Sequence, residues 1–150
     1  MVALRPARFV LDTQFYIDVL RGTAAGAATL QFLAAHVGAV DFHALVGAEL
    51  LLGAAGAAEA TAIRQRLVDR FKPERLLVPT AADLLAAGDA VRLLRARHGD
   101  HPEYGRRNFW NDVVIAASCR RQGRVLVSRD QDHARIAAVV RHRVLTALPT

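Results

Sequence analysis

Four acids carry the chemistry that this sequence can do: Asp12, Glu49, Asp112 and Asp130. Asp12 closes the apolar run Phe9-Val10-Leu11, and Asp130 stands just past the apolar run Arg124 to Val127. Asp112 lies in Asn108-Phe109-Trp110-Asn111-Asp112, where a helix is expected to open. Glu49 shares a helical stripe with Leu45 and Leu52, a costly place for a carboxylate without a partner. Packed carboxylates repel one another. A hard divalent cation removes that repulsion, and Mg²⁺ and Mn²⁺ both take oxygen ligands. Such a cation eases deprotonation of water and offsets the charge that builds on a phosphate. Four clustered acids with arginines nearby therefore suit phosphodiester hydrolysis. Each acid also has a plainer explanation. Asp12 can cap a helix, Asp112 can offset a helix dipole, Asp130 can be a turn acid, and Glu49 a partly exposed helix residue.

The elements that must position these acids alternate between strand and helix. Arg8 to Leu11 fits a buried parallel strand, followed by a helix over Thr13–Arg21 that Gly22 stops. A second helix is expected over Ala24–Ala35, a weaker strand over Gly38–Phe42, and a third helix over His43–Ala54. A fourth helix covers Glu59–Phe71, with Ile63, Leu67 and Phe71 inward. The strand Arg75–Val78 ends at Pro79. Thr80 then caps a helix to about Arg97 that carries Leu84, Leu85, Val91 and Leu94, with Asp83 completing a capping box. The polar stretch His98–Arg107, with Gly99, Pro102 and Gly105, reads as a loop. A helix to Gln122, the strand Arg124–Val127, a short helix Asp132–Val140 and a last strand His142–Leu145 finish the chain. This alternation predicts a three-layer α/β/α sandwich on a parallel sheet of about five short strands, one domain over residues 1–150. In an open parallel sheet the loops after the strands share one edge, and ligands bind where strand order reverses. Asp12 and Asp130 belong to that edge, and Glu49 must reach toward it.

Composition narrows the partners. The net charge is +6, from 20 basic and 14 acidic residues, and Lys72 is the one lysine. Arginine forks suit phosphate, and a basic surface favours polyanions such as RNA. Cys119 is the only cysteine, which excludes an internal disulfide and fits a buried apolar role in a cytoplasmic protein. No signal peptide is expected before Val10. The uncharged run Gly22 to Val40 contains Gln31 and His36 and divides into a helix and a strand, so no membrane partner is expected.

Four segments together resemble a known family: Val10-Leu11-Asp12-Thr13, Ala48-Glu49-Leu50-Leu51-Leu52-Gly53, Asn111-Asp112-Val113-Val114-Ile115-Ala116-Ala117 and Val127-Ser128-Arg129-Asp130. In this order they are similar to PIN-domain ribonucleases, and within them to the toxin of VapBC-type toxin–antitoxin pairs. The resemblance implies a metal-dependent endoribonuclease that leaves a 5′-phosphate and a 3′-hydroxyl. It implies catalytic and metal-binding roles for Asp12, Glu49, Asp112 and Asp130, with Mg²⁺ as cofactor and Mn²⁺ as a substitute. It implies a supporting role for Ser128, a homodimer and a cognate antitoxin that covers the site. Thr13 and Asn111 sit beside acids and are placed to orient them. Two positions depart from the family pattern. His43 stands where a small hydroxyl residue is common, and Ser128 where threonine is commoner.

Arg106, Arg107 and Arg129 are candidate phosphate contacts, against a reading as solvated loop residues. Phe109 and Trp110 suit core or dimer packing better than base stacking. His98 and His101 lie in a loop without further ligands nearby, and Asp132 is a helix cap or an auxiliary ligand. Two other classes compete with a nuclease. A non-catalytic RNA- or protein-binding module would bind RNA with steep salt dependence and leave it intact. A phospho-acceptor receiver domain would need a lysine near its end, and Lys72 is in the wrong place.

Overall fold

Each apolar run becomes a short strand: β1 (Phe9–Leu11), β2 (Val40–His43), β3 (Leu76–Leu77), β4 (Val125–Val127) and β5 (Arg143–Leu145). The computed structural model describes residues 5–150, so the part of the signal-peptide expectation that falls on residues 1–4 lies outside the described residues. The strands pair in parallel in the order β3-β2-β1-β4-β5, with Val10 of β1 opposite Asp41 on one side and Leu126 on the other. Val10, Leu11 and Val125 to Val127 are all buried, the continuous apolar pattern of a sheet covered on both faces. Helices α1 (Thr13–Arg21), α2 (Ala24–Ala35), α3 (Ala44–Leu52), α4 (Ala57–Arg66), α5 (Ala81–His98), α6 (Arg107–Gln122) and α7 (Asp132–Ala137) complete an α/β/α sandwich. Strand order reverses at β1, where the chain returns to place β4 on the opposite side from β2. The loops after β1 and β4 therefore flank a crevice at one edge of the sheet.

Helix α6 joins the two parts of the core. Ile115 and Cys119 pack with the strand residues, while Val113, Val114 and Ala116 pack with Ala90, Leu94 and Ile136 of α5 and α7. Phe109 and every residue from Asn111 to Cys119 are buried, so this helix is enclosed nearly all round. Phe109 is thus a core residue against Tyr104, and Trp110 is half-buried against the same cluster. Enclosure also carries Asn111, Asp112 and Ser118 into the interior, where each polar group needs a partner. Gly123 (φ +65°) ends α6 in the left-handed conformation, which glycine adopts without steric penalty, and turns the chain directly into β4.

The structure corrects several local expectations. Helix α6 opens at Arg107, so Asp112 is its sixth residue rather than a first-turn acid, and the helix has no acid in its first turn. Helix α4 stops at Arg66. The chain continues through a 3₁₀ turn at Val68–Arg70, which keeps Leu67 buried and brings Phe71 against Phe42 at 5.0 Å. Helix α5 buries Ala87, Ala90, Val91 and Leu94, whereas Leu84 and Leu85 are exposed. Helix α3 packs through Val46, Gly47 and Leu50; of the Leu45, Glu49, Leu52 stripe, Leu45 is half-buried against the core, Glu49 is half-buried and Leu52 is exposed. The capping box on α5 is present, and a 3₁₀ turn at Pro102–Gly105 occupies the His98–Arg107 loop.

Candidate metal centre and active site

Asp12 and Asp130 reach the crevice because β1 and β4 end there. Asp12 caps α1 by accepting from the Thr13 backbone N–H at 2.8 Å. Its other oxygen accepts from the Ser128 hydroxyl at 2.5 Å. The Asp130 N–H donates to that same Ser128 oxygen at 3.1 Å, so one serine ties the loop after β4 to the acid after β1. Asp130 is exposed and accepts from the Asp132 N–H at 2.9 Å. Asp132 is the first residue of α7 rather than its cap.

Glu49 projects from α3 into the same cleft and is half-buried. One carboxylate oxygen accepts from the Thr13 hydroxyl and the other from the Asn111 amide at 3.0 Å. The side chains of Thr13 and Asn111 thus both hold Glu49, while the Thr13 backbone N–H holds Asp12. The cleft has a volume of about 550 Å³ and is lined by Asp12, Thr13, Glu49, Asp112, Asp130 and Arg107, among others.

Asp112 sits at the floor. It is 7% exposed and has no arginine beside it. Burial, then the charges of Asp12, Asp130, Glu49 and Asp132, push its carboxyl up to about 9. Asp132 is also raised, by burial and by Asp130. Such repulsion is what a bound cation would relieve. Among the described residues, two sets of donors have ligand atoms within 4.8 Å of one another: Asp12, Asp112 and His133, and Asp112, Asp130 and Asp132. The oxygen-rich donor set fits a hard divalent ion. Glu49 is in neither set, and both its oxygens are already engaged.

His133 is absent from the sequence expectations. It is 1% exposed, with Nε2 3.8 Å from an Asp112 oxygen, and burial lowers its pKa to about 4. The available signal was spacing: His133 lies three residues past Asp130, on a helix that packs against α6. Of the candidate phosphate contacts, Arg107 is exposed at the cleft. Arg129 lines it too, but its guanidinium pairs with Asp18 at 2.9 Å and lies over the Phe15 ring at 4.4 Å. That pairing holds the Asp18 carboxyl below its ordinary range. Arg106 is not among the cleft-lining residues. His98 and His101 belong to neither donor set, and His101 caps the turn that follows it. His43 caps α3 through Nδ1, and burial lowers its pKa to about 4.

With this geometry in place, the family can be stated. The PIN-domain family model matches residues 9–139, and the chain belongs to that family, whose members are generally nucleases. Solved structures share its fold at low identity. DNA-bound VapBC from Salmonella typhimurium superposes with a TM-score of 0.68 at 16% identity, covering 93% of this chain and 98% of that one. FitAcB from Neisseria gonorrhoeae gives 0.66 at 20% identity, covering 92% and 96%. A toxin–antitoxin complex from Klebsiella pneumoniae gives 0.59 at 19% identity, covering 94% and 97%. No curated protein sequence matches the chain.

Proposed function

We propose that this chain is an Mg²⁺-dependent endoribonuclease, with Mn²⁺ as a substitute, and the toxin of a VapBC-type toxin–antitoxin pair. The observation that carries the proposal is Asp112: a buried carboxylate set among four other acids in an open cleft, with no arginine to balance it. Asp12, Asp112 and Asp130 hold the ion, and Glu49 stands beside them. When bound, the ion eases deprotonation of the attacking water and offsets charge on the phosphate. The chain's own residues supply position. Ser128 fixes Asp12 relative to Asp130, and Thr13 and Asn111 fix Glu49. Arg107 at the cleft wall meets a phosphate of the RNA backbone. Hydrolysis joins the water oxygen to phosphorus and breaks the bond from phosphorus to the 3′ oxygen, which takes a proton and leaves as the 3′-hydroxyl of the upstream fragment, while the downstream fragment keeps the phosphate at its 5′ end.

Membership of the PIN-domain family and the fold shared with a toxin–antitoxin complex support the toxin reading. In this proposal residues 1–150 act as one domain in the cytoplasm. A cognate antitoxin covers the cleft, and two copies pair as a homodimer. Exposed Leu84 and Leu85 on α5 support such pairing. Buried, unpaired Cys119 suits a reducing compartment, and no helix among the described residues is long and apolar enough to cross a membrane.

The test is RNA cleavage by the purified chain with Mg²⁺, with Mn²⁺ and with chelator, beside Asp12→Asn and Asp112→Asn. Cleavage that needs the cation and both acids is expected. Metal-independent cleavage, or full activity in both variants, refutes the nuclease. Salt-sensitive RNA binding without cleavage makes the chain a binding module instead. Growth arrest by the wild type but not by Asp12→Asn, relieved by an adjacent small reading frame, tests the toxin role.

A further inference from the structure

The nuclease proposal leaves one donor at the cleft floor without a role. His133 is 1% exposed, and neither of its ring nitrogens has a hydrogen-bond partner among the described residues. Buried polar atoms are normally satisfied, so a side chain with two orphaned nitrogens calls for an explanation. An Asp112 oxygen stands 3.8 Å from its Nε2, beyond hydrogen-bond reach. Yet one ring nitrogen, one Asp12 oxygen and one Asp112 oxygen lie within 4.8 Å of one another. Ligands bound at about 2.0–2.2 Å to one ion stand no more than about 4.4 Å apart. The three atoms therefore need at most a few tenths of an ångström of movement to come within that limit. An imidazole that binds a metal does so through the lone pair of one ring nitrogen.

Two rival readings explain less. A hydrogen-bonded ion pair with Asp112 needs a shorter distance than 3.8 Å. Plain packing accounts for the edge-on contact with His142, at 5.4 Å and 62°, but not for the two unsatisfied nitrogens. His142 itself has its Nδ1 on the Val140 carbonyl at 2.8 Å. That contact places its proton on Nδ1 and leaves the Nε2 of His142 as a third unpartnered nitrogen in this histidine pair.

We propose that His133 is a nitrogen ligand to the ion that Asp12 and Asp112 hold. The site is therefore a mixed oxygen–nitrogen centre that binds Mn²⁺ in preference to Mg²⁺. This rests on the proposal that the acids hold a cation. Carboxylate oxygens suit both ions, whereas imidazole suits transition metals and adds little for Mg²⁺. Loss of His133 therefore weakens the two ions unequally.

The test reads metal binding rather than turnover. Mn²⁺ bound to the wild type is examined by pulsed electron paramagnetic resonance for nitrogen hyperfine coupling. Mn²⁺ and Mg²⁺ affinities are measured by calorimetry for the wild type, His133→Gln and His133→Phe, with circular dichroism of each metal-free protein. Nitrogen coupling in the wild type that disappears in both variants supports the proposal. So does Mn²⁺ affinity that falls about 10–100-fold while Mg²⁺ affinity changes less than about threefold. A wild-type spectrum without nitrogen coupling overturns it, as does coupling that survives in the variants or equal loss of both ions. If neither variant folds, the wild-type spectrum decides alone. Failure of the acid site itself looks different: the wild type then shows no saturable Mn²⁺ binding, and Asp112→Asn behaves identically.

Discussion

The two edges of the sheet treat a buried acid in opposite ways. At the edge where the strands begin, Asp41 of β2 is 2% exposed and is surrounded by arginine. Arg8 pairs with it from before β1, Arg124 at 2.5 Å from before β4, and Arg75 at 3.6 Å from before β3. One carboxylate within β2 thus gathers the segments leading into β1, β3 and β4. Asp83 follows the same rule on α5, where Arg121 grips it at 2.7 and 3.0 Å and Ser118 donates a third bond. These contacts outweigh burial and hold the Asp83 carboxyl below its ordinary range. At the edge where the strands end, Asp112 is as deeply enclosed but has acids around it instead of arginine. The first arrangement stabilises the fold and the second opposes it. A buried carboxylate that the protein leaves unbalanced marks the place where an external cation belongs.

The largest expected effect breaks the acid edge. Asp112→Asn should lower RNA cleavage about 10³-fold, the equivalent of several kcal/mol at the transition state, in a single-turnover assay with saturating RNA. The same substitution should raise the melting temperature of the metal-free protein at neutral pH by at least about 2–4 °C, because it removes the cost of protonating a carboxyl that the fold resists as an anion. A catalytic loss joined to a gain in stability is the signature of an unbalanced site. Loss of both would place Asp112 with Asp41 and Asp83.

Breaking the arginine edge should do the reverse. Asp41→Asn leaves three guanidinium groups without their shared partner and should cost about 3 kcal/mol, or about 6–12 °C in melting temperature. Cleavage per folded molecule at 25 °C should be unchanged.

A pH series sharpens the contrast. The folded pKa of Asp112, about 9, lies above its ordinary value of 3.8. The folded state therefore binds the extra proton between these values, and its stability falls as pH rises through that window. The buried histidines act in the opposite direction. His43 and His133 are lowered from 6.5 to about 4, so the stability they withhold at acid pH returns as pH rises toward 6.5. Above pH 6.5 the histidine contribution is complete, and the raised acids, Asp112 foremost, set the slope. Melting temperature of the metal-free protein should decline from pH 6.5 to 9. Asp112→Asn or added Mn²⁺ should flatten the decline.

The smallest effect concerns the cleft wall. Arg107→Ala should leave cleavage at saturating RNA intact and weaken RNA binding. It should reduce the slope of log affinity against log salt by about 0.7, one phosphate contact on single-stranded nucleic acid. Arg129→Ala should lower stability through lost contact with Asp18 and Phe15, with less change in that slope.

Much of the architecture was legible in the chain itself. Short apolar runs of Val, Leu and Phe, punctuated by Gly22, Gly123 and a Thr80 cap, announce buried parallel strands between helices. These signals are local: backbone propensity and periodicity act over a few residues. Parallel strands also force crossovers, so the acids after β1 and β4 had to share an edge once strand order was fixed. Residue pairing across the fold was not legible. The start of α6 at Arg107, which moved Asp112 out of the first turn, came from packing of the enclosed helix. The capture of Glu49 by Thr13 and Asn111 joins three elements whose spacing in sequence carries no trace of it. Arg129 stands beside Asp130 in sequence but turns to Asp18, because side-chain direction follows the nearest opposite charge in space. His133 is the clearest case, since an isolated histidine in a short helix has no pattern to betray it. The sequence by itself determined the elements and which acids reach one edge, because helix and strand preferences are written locally. Only the tertiary structure decided which buried acids are balanced and which are not, because charge compensation depends on distances between residues far apart in the chain.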